Sequence, residues 1–286
     1  MTITGKAKLA GVMGWPVGHS LSPVLHGHWL QSLGIDGAYV PLAVAPDDFE
    51  QVLRALPKMG FRGANVTVPY KEAALAVVDE ADPLAQRIGA VNTVIVGDDG
   101  RLVGTNTDGF GFLENLKEGA PGWQPTAAPA VVLGAGGAAR AVVVALIDAG
   151  VPNIRLLNRT RARAEQMAAD LEGGAGAITV HEWDDRNAAL GGAGLLANTT
   201  TLGMTGKDKL NISLDALPRQ ALVNDIVYAP LETDLLGAAK ARGNPVVDGL
   251  GMLLHQARPG FEAWFGAAPQ VTADLRSAIL DRLDQG

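Results

Sequence analysis

Apolar and polar positions in the first hundred residues follow two different periods. AYVPLAV and GANVTV are short runs rich in β-branched residues, whereas SPVLHGHWLQSLG places Leu25, Trp29 and Leu33 four residues apart. The first pattern predicts strands, and the second predicts a helix that Ser22 can cap and Gly34 can end. Strands that alternate with helices are typical of a mostly parallel sheet covered by helices.

The rest of the first hundred residues continues this alternation. DDFEQVLRAL and KEAALAVVDEA have the helical period, and AVNTVIV followed by RLVGTN predicts a hairpin that turns at residues 98–100. This part of the chain therefore has a complete set of strands and helices of its own.

A second series of strands and helices begins after residue 129. The stretch KEGAPGWQPTAAP, residues 117–129, is rich in Pro, Gly and Ala and has no period, so we expect a connection beside a domain boundary. Beyond it, AVVLG, NIRLLN, GLLANTT, ALVNDIVY and NPVVDG predict the strands of one sheet. The tail from Met252 onward is mainly helical, with Leu275, Ile279 and Leu283 on one face. We predict an α/β protein with two domains.

Composition narrows the class of protein. The 286 residues carry a net charge of −7, which does not suit a surface that neutralises nucleic-acid phosphates. There is no cysteine, so disulfides, thiolate nucleophiles and cysteine-bound zinc are excluded. His26 and His28 would face different directions on a helix, and we expect no metal site. The N-terminal sequence MTITGKAKLAG lacks a long apolar segment, so we expect a soluble cytoplasmic protein. For the oligomeric state, we expect a monomer or a homodimer.

A glycine-rich loop stands between a predicted strand and a predicted helix. In VVLGAGGAARAVV, Gly134, Gly136 and Ala139 have the G-x-G-x-x-A spacing of dinucleotide-binding loops. The first glycine permits a tight turn, the second lets backbone N–H groups approach a pyrophosphate, and the small third residue lets helix and strand pack closely. This setting predicts a dinucleotide site.

The end of the next predicted strand indicates which nicotinamide cofactor binds. An acidic residue at this point accepts hydrogen bonds from a free ribose 2′-hydroxyl, but here LLNRTRARAE places Asn158 followed by Arg159, Arg161 and Arg163. Guanidinium groups suit a phosphate monoester by charge and by geometry, so the sequence favours NADP over NAD. A solvated helix start is the alternative, although cations there oppose the helix dipole.

Polar residues interrupt the pattern of the first domain at four places, each near the end of a predicted element. Ligands of open α/β sheets usually bind at the carboxyl ends of the strands, so these residues form a candidate substrate site. They are Ser20, Ser22, Thr67, Lys71, Asn92, Asn106, Thr107 and Asp108. If the reaction is hydride transfer at a carbinol carbon, a base must take the hydroxyl proton, and Lys71 with Asp108 is the best pair.

These residues belong to motifs that resemble those of shikimate dehydrogenases, and the resemblance covers almost the whole chain. The motifs occur in the family's order: GHSLSPVLH, NVTVPYK, GAVNT, GTNTDGFG, GAGGAARA, NRTRAR, NTTTLGM, DIVYAPLETDLL and DGLGMLLHQA. Members of the family reduce 3-dehydroshikimate to shikimate with NADPH in aromatic amino-acid biosynthesis. The resemblance implies a substrate-binding and catalytic domain, residues 1–107 plus 254–286, and a Rossmann-like NADP-binding domain, residues 108–253. It also implies that the helical tail returns to the first domain.

The resemblance assigns roles to individual positions. Lys71 and Asp108 would be the acid/base pair, and Ser20 with Ser22 would hold the substrate carboxylate. The other implied substrate contacts are Thr67, Asn92, Tyr228 and Gln256. The implied cofactor contacts are Gly134, Ala135, Gly136, Gly137, Ala138, Asn158, Arg159, Thr160, Arg161, Ala162, Arg163, Ile226 and Gly249.

Two other functions compete with this interpretation. A quinate/shikimate dehydrogenase that uses NAD would have the same fold, but NRTRAR lacks the acidic residue that NAD favours. A non-catalytic NADP-binding regulator would tolerate the loss of Lys71 or Asp108, and both are present.

Overall fold

The computed structural model describes residues 3–171 and 177–284 of the chain, which divides into two compact units. The first unit comprises Met1–Thr107 and Gln256–Gly286, and the second comprises Asp108–His255. Each unit is built on a six-stranded sheet of its own.

The sheet of the first unit has the strand order β2-β1-β3-β5-β6-β4. Its strands are β1 (Lys8–Gly14), β2 (Gly37–Ala43), β3 (Phe61–Val66), β4 (Glu80–Ala81), β5 (Thr93–Val96) and β6 (Leu102–Thr105). The α-helices between them are α1 (Ser22–Ser32), α2 (Phe49–Ala55), α3 (Lys71–Val77) and α4 (Pro83–Ile88). Strand β5 runs antiparallel to both neighbours, and the other pairs are parallel. The predicted hairpin and the mostly parallel sheet are confirmed.

The second sheet is entirely parallel, with the order β12-β11-β10-β7-β8-β9. Its strands are β7 (Ala130–Leu133), β8 (Asn153–Leu157), β9 (Ala177–His181), β10 (Leu195–Asn198), β11 (Leu222–Asp225) and β12 (Val246–Val247). The α-helices of this unit before residue 250 are α5 (Asp108–Gly119), α6 (Gly137–Asp148), α7 (Arg161–Leu171) and α8 (Asp234–Ala241). In order of appearance along the chain, the strands have the 3-2-1-4-5-6 arrangement of the Rossmann fold.

The helical tail contains α9 (Leu250–Phe265) and α10 (Ala273–Asp284). Its later part packs on the first unit, as predicted: the Trp264 indole N–H donates to the Val94 carbonyl at 3.0 Å, and the Lys8 ammonium donates to the Phe265 carbonyl at 2.8 Å. Trp264 is almost completely buried, and full burial of a large apolar side chain stabilises a fold by about 1.5–3 kcal/mol.

One glycine makes this packing possible. Gly63 in β3 has φ +149°, and a Cβ built on it would lie 2.0 Å from the Val94 carbonyl oxygen and 2.3 Å from the Trp264 indole nitrogen. Both distances are well below van der Waals contact, so only glycine lets β3, β5 and the tail approach this closely.

Some local expectations were wrong. Residues 117–129 lie inside the second unit, because α5 already belongs to it and the chain changes units at Thr107. Leu33 is exposed, and on α10 Leu275 and Ile279 are buried whereas Leu283 is only partly so. The sequence pattern did not single out β1, whose two glycines weaken the strand signal, or β9 at the edge of its sheet.

Candidate functional site

Four strands of the first unit meet at one edge of its sheet. Strands β1, β3 and β6 end at this edge, and β5, which runs the opposite way, begins there. Strand β1 lies between β2, which follows it in the chain, and β3, which comes later. The strand order therefore reverses at β1, and this edge lies at a topological switch point, where open α/β sheets bind ligands. Residues predicted from separate motifs are thus placed along one edge.

The ends of β1 and β3 are joined directly. The Thr67 N–H donates to the Met13 carbonyl at 2.9 Å, and the Trp15 N–H donates to the Val68 carbonyl at 3.2 Å. A Cβ on Gly14 would lie 2.5 Å from the Thr67 methyl carbon, so glycine at this position lets Thr67 approach β1. Thr67 is therefore held beside the segment that leads to Ser20.

The start of α1 uses Ser20 rather than Ser22. The residue before α1 is Leu21, which makes no side-chain capping bond, and Ser22 is the first helical residue. The Ser20 hydroxyl accepts the Ser22 N–H at 3.3 Å, so Ser20 satisfies a backbone group at the helix start and Ser22 does not. The prediction that Ser22 caps α1 was wrong.

Lys71 is the first residue of α3 and follows β3 by a short turn. Its carbonyl accepts the Val91 N–H at 2.8 Å, which fixes the start of α3 against the segment before β5. The side chain is partly buried. The backbone at Lys71 is thus tied to the segment that carries Asn92.

Asn92 and Thr107 form the most heavily bonded part of this edge. The Asn92 Oδ1 accepts the Thr107 N–H at 2.9 Å and the Thr93 hydroxyl at 2.9 Å, and the Asn92 Nδ2 donates to the Thr107 hydroxyl at 3.1 Å. All three residues are buried. Asp108, also buried, follows Thr107 directly and begins α5. These bonds hold the end of the first unit immediately before the predicted catalytic aspartate.

The sequence interpretation missed Asn65, which lies in β3 and is buried. Its Nδ2 donates to the Asn92 carbonyl at 3.2 Å and to the Thr93 hydroxyl at 3.0 Å, and its Oδ1 accepts the Tyr39 hydroxyl at 2.6 Å. An amide between apolar neighbours in GANVTV was the available signal, because a polar group in a central strand must find partners.

In the second unit, the glycine-rich loop follows β7 at the switch point between β7 and β10. Gly134 has φ +112°, and a Cβ on it would lie 2.8 Å from the Thr199 hydroxyl oxygen. Thr199 is fixed in turn, because its hydroxyl donates to the Leu133 carbonyl at 2.6 Å. The tight turn predicted for the first glycine is present, and both its conformation and its neighbour require glycine.

Gly136 is constrained differently. It precedes α6 with extended backbone, φ −98° and ψ −177°, and a Cβ built on it meets no atom of the described chain within 4 Å. The protein itself therefore does not require glycine there. The N–H groups at the start of α6 are available to an anion, and Ala139 is completely buried where the helix packs on the sheet. This arrangement suits the pyrophosphate of a dinucleotide.

The arginines after β8 are not equivalent. Arg161 donates to Glu165 and to Glu182, both at 2.7 Å, and the hydrogen bond with Glu165 raises its pKa. Within residues 3–171 and 177–284, Arg159 and Arg163 make no such ion pair. Asn158 donates to the Thr160 carbonyl at 2.8 Å and shapes the turn between them.

A buried aspartate organises the loops after β10 and β11. Asp225 accepts from the Asn198 amide at 3.0 Å, the Val227 N–H at 3.0 Å and the Thr233 hydroxyl at 2.8 Å. Burial raises the pKa of its carboxyl group, although these three donors oppose the shift. Ile226, a predicted cofactor contact, lies inside the loop that Asp225 holds.

Three further predicted residues lie in the chain after β11: Tyr228, Gly249 and Gln256. A Cβ on Gly249 would be 2.3 Å from the Ile226 carbonyl oxygen, so these two predicted cofactor contacts touch. Gln256 lies within α9, at the residue where the chain returns to the first unit. Tyr228 follows Ile226 in the same loop and is partly buried.

The described ranges contain no group of three or more His, Asp or Glu side chains placed to hold a metal ion. His26 is packed among aromatic rings. None of the helices that the structure describes is long and apolar enough to cross a membrane.

Both halves of the chain match models of known protein families. Residues 12–94 match the family described as "Shikimate dehydrogenase substrate binding domain", and residues 122–207 match "Shikimate / quinate 5-dehydrogenase". The chain is 65% identical to the shikimate dehydrogenase (NADP(+)) of Paramagnetospirillum magneticum, over 97% of this chain and 100% of that protein.

Solved structures show the same fold. Shikimate 5-dehydrogenase from Thermus thermophilus, in complex with NADP(H) and shikimate, is 38% identical with a TM-score of 0.83 and covers 97% of this chain and 99% of its own. Quinate dehydrogenase from Corynebacterium glutamicum, in complex with NAD, is 31% identical with a TM-score of 0.89 and covers 96% of this chain and 99% of its own.

Proposed function

The chain belongs to the shikimate dehydrogenase family, and we propose that it catalyses the reversible NADPH-linked reduction of 3-dehydroshikimate to shikimate, a step of aromatic amino-acid biosynthesis. One observation carries the proposal: polar residues from separate motifs line one edge of the first sheet, while the second sheet carries a dinucleotide loop at its switch point. We place the reaction in the cytoplasm, in keeping with a chain that has no cysteine.

We assign substrate binding to the first unit and NADP binding to the second. In the first unit, Ser20 and Ser22 would hold the substrate carboxylate, and Thr67 and Asn92 would contact its hydroxyl groups. Gln256 and Tyr228 complete the proposed substrate contacts. The bonds among Asn92, Thr93 and Thr107 support this assignment, because a polyol is selected by donors and acceptors whose directions are fixed before it binds.

For the cofactor, the backbone N–H groups of residues 134–138 would bind the pyrophosphate, and the segment 158–163 would bind the adenosine ribose and its 2′-phosphate. We propose Arg159 as the principal phosphate ligand of that segment, since Arg161 is already held by two glutamates. Ile226 and Gly249 would lie near the nicotinamide. NADP, when bound, supplies the chemistry of accepting or donating the hydride.

Lys71 and Asp108 would handle the proton of the reacting hydroxyl. In the oxidation of shikimate, the hydroxyl proton passes to this pair as the carbinol C–H bond breaks. In the reduction, the pair returns that proton to the new oxygen anion. Asp108 would lie across the same hydroxyl, orient it and share the handling of its single proton with Lys71.

The test is a set of four spectrophotometric assays of the purified protein, with shikimate or quinate as substrate and NADP or NAD as cofactor. We expect kcat/KM to be highest by far for shikimate with NADP. Equal or faster oxidation of quinate with NAD would favour the quinate/shikimate dehydrogenase. NADP binding without turnover of either polyol would instead indicate a non-catalytic regulator.

A further inference from the structure

Tyr39 lies in β2 and is buried, with 7% of its surface exposed, yet its hydroxyl is part of the polar edge of the first sheet. It donates to the Asn65 Oδ1 at 2.6 Å. Burial raises the pKa of the Tyr39 phenol well above its ordinary value, and a hydrogen bond with Ser22 opposes this shift. The hydroxyl therefore stays protonated and remains a donor at neutral pH.

Beyond Asn65, backbone groups determine which side-chain atoms donate and which accept. Both hydrogens of the Asn65 amide are used, one on the Asn92 carbonyl and one on the Thr93 hydroxyl. The Thr93 hydroxyl donates to the Asn92 Oδ1, which also accepts the Thr107 N–H. Because a backbone carbonyl can only accept and a backbone N–H can only donate, these two groups fix which way each amide faces. The Asn65 Oδ1 then requires a donor, and Tyr39 supplies it.

Packing keeps the Tyr39 ring in place. The ring stacks on His26 with centroids 3.8 Å apart and parallel planes, and the Trp264 ring lies 5.9 Å away on centroids, tilted by 41°. Neither ring nitrogen of His26 has a hydrogen-bond partner in the described part of the chain, so His26 holds Tyr39 by stacking. The position of the hydroxyl is thus set by the aromatic core.

We propose that Tyr39 is a positioning residue for substrate binding: by satisfying the Asn65 Oδ1, its hydroxyl keeps the Asn65 amide in the orientation that the Asn92 carbonyl selects and, through Thr93, supports the Asn92 amide. This inference rests on the proposed function, in which Asn92 contacts the polyol. Without the hydroxyl, the buried Asn65 Oδ1 loses the donor that the described chain gives it. An unsatisfied buried acceptor is costly, so the amide reorients and its bonds to Asn92 and Thr93 are disturbed.

The first experiment compares Tyr39→Phe with Tyr70→Phe by steady-state kinetics and thermal unfolding. Phenylalanine keeps the ring that stacks on His26 and removes only the hydroxyl. Tyr70 is a matched control, because its buried hydroxyl donates at 2.5 Å to the Val44 carbonyl, outside this set of bonds. For Tyr39→Phe we expect KM for shikimate to rise about tenfold, with KM for NADP changed less than about twofold. Tyr70→Phe should lower Tm by a similar amount and leave KM for shikimate within about twofold.

A double-mutant cycle then tests whether Tyr39 acts through Thr93. If it does, Thr93→Val alone raises KM for shikimate, and the double variant shows less than the product of the two single effects. Independent, multiplicative effects would overturn the proposal, as would Tyr39→Phe with wild-type KM and a loss of Tm only. If Tyr39→Phe does not fold, unchanged KM in Thr93→Val overturns the proposal by itself. Wild-type protein is assayed alongside: no shikimate oxidation there refutes the proposed function, whereas an active wild type with unaffected variants refutes only the role of Tyr39.

Discussion

The carboxyl edges of the two sheets present different chemical groups: side-chain amides and hydroxyls at the first edge and backbone groups at the second. At the first edge, side chains bond to one another: Tyr39 to Asn65, Asn65 to Thr93, and Asn92 to Thr107. At the second edge, the loop after β7 offers backbone groups, with glycine at 134 and 136 in place of side chains.

This difference follows from what each edge would bind. A polyol presents several hydroxyl groups in fixed directions, and buried amides and hydroxyls can match each of them with a donor or an acceptor. A pyrophosphate presents diffuse negative charge, for which the N–H groups of a helix start are sufficient. We therefore expect the first edge to be sensitive to the loss of single polar atoms and the second to be sensitive to added bulk.

The largest effect should come from the proposed base of the first edge. Lys71→Ala removes the group that exchanges the hydroxyl proton, so we expect kcat to fall about 10²- to 10⁴-fold while KM for shikimate changes modestly. Lys58→Ala, an exposed lysine of the same unit, is the control and should keep wild-type kcat. Preserved turnover with a large rise in KM would make Lys71 a binding residue.

The next effect concerns charge at the second edge. Arg159→Asp removes a cation and adds an anion at the proposed 2′-phosphate position, so we expect the ratio of kcat/KM for NADP over NAD to fall on the order of 10²-fold. Arg161→Ala should change this ratio much less, because Glu165 and Glu182 already hold that guanidinium. Equal losses with NADP and NAD for Arg159→Asp would contradict the assignment.

Added bulk at the second edge should have a smaller and more selective effect. Gly136→Ala places a methyl group where no atom of the described chain lies within 4 Å, and its φ and ψ are allowed for alanine. We expect an unchanged Tm and a rise of about tenfold in KM for NADP, since the backbone can no longer approach the pyrophosphate closely.

Gly122→Ala, whose added Cβ also meets no atom of the described residues within 4 Å, controls for the loss of a glycine in the same unit. Wild-type KM for NADP in Gly136→Ala would show that the backbone of this loop does not contact the cofactor closely.

The smallest effect concerns the pH dependence of the free energy of unfolding, through the buried residue His26 in the first unit. Burial lowers the pKa of His26 from 6.5 to about 3, so the unfolded chain binds a proton below pH 6.5 whereas the folded protein stays neutral at this residue. Protonation of His26 therefore does not favour the unfolded chain well above pH 6.5, and the folded protein has its full stability there. As pH falls from 6.5 toward 3, protonation favours the unfolded chain more and more, and the free energy of unfolding decreases. Between about pH 7.5 and about pH 5, this group should lower the free energy of unfolding by about 2 kcal/mol.

Urea unfolding at the two pH values measures this effect as the difference in pH dependence between wild type and His26→Phe. His28→Gln, on the same helix, controls for the removal of a histidine. Identical pH dependence in wild type and His26→Phe would contradict the prediction.

The residues that the sequence revealed and those it missed differ in the range of their interactions. The glycine loop was predictable, because its strand, its spacing and its helix are all within a short window. Asn65, Tyr39 and Thr93 were missed as a group, since Tyr39 and Asn65 lie 26 residues apart and Asn65 and Thr93 lie 28 apart. No local period connects positions on three different strands.

The sequence by itself determined the α/β class, most of the strand and helix order apart from strands such as β1 and β9, the dinucleotide loop and the preference for NADP, because each is encoded by neighbouring residues. The tertiary structure decided how the candidate groups are used. It gave Ser20 rather than Ser22 the backbone bond at the start of α1, and it committed Arg161 to Glu182, which lies 21 residues away. It also placed Tyr39 behind Asn65. Hydrogen bonds between distant segments depend on which strands are neighbours, and only the folded sheet establishes that.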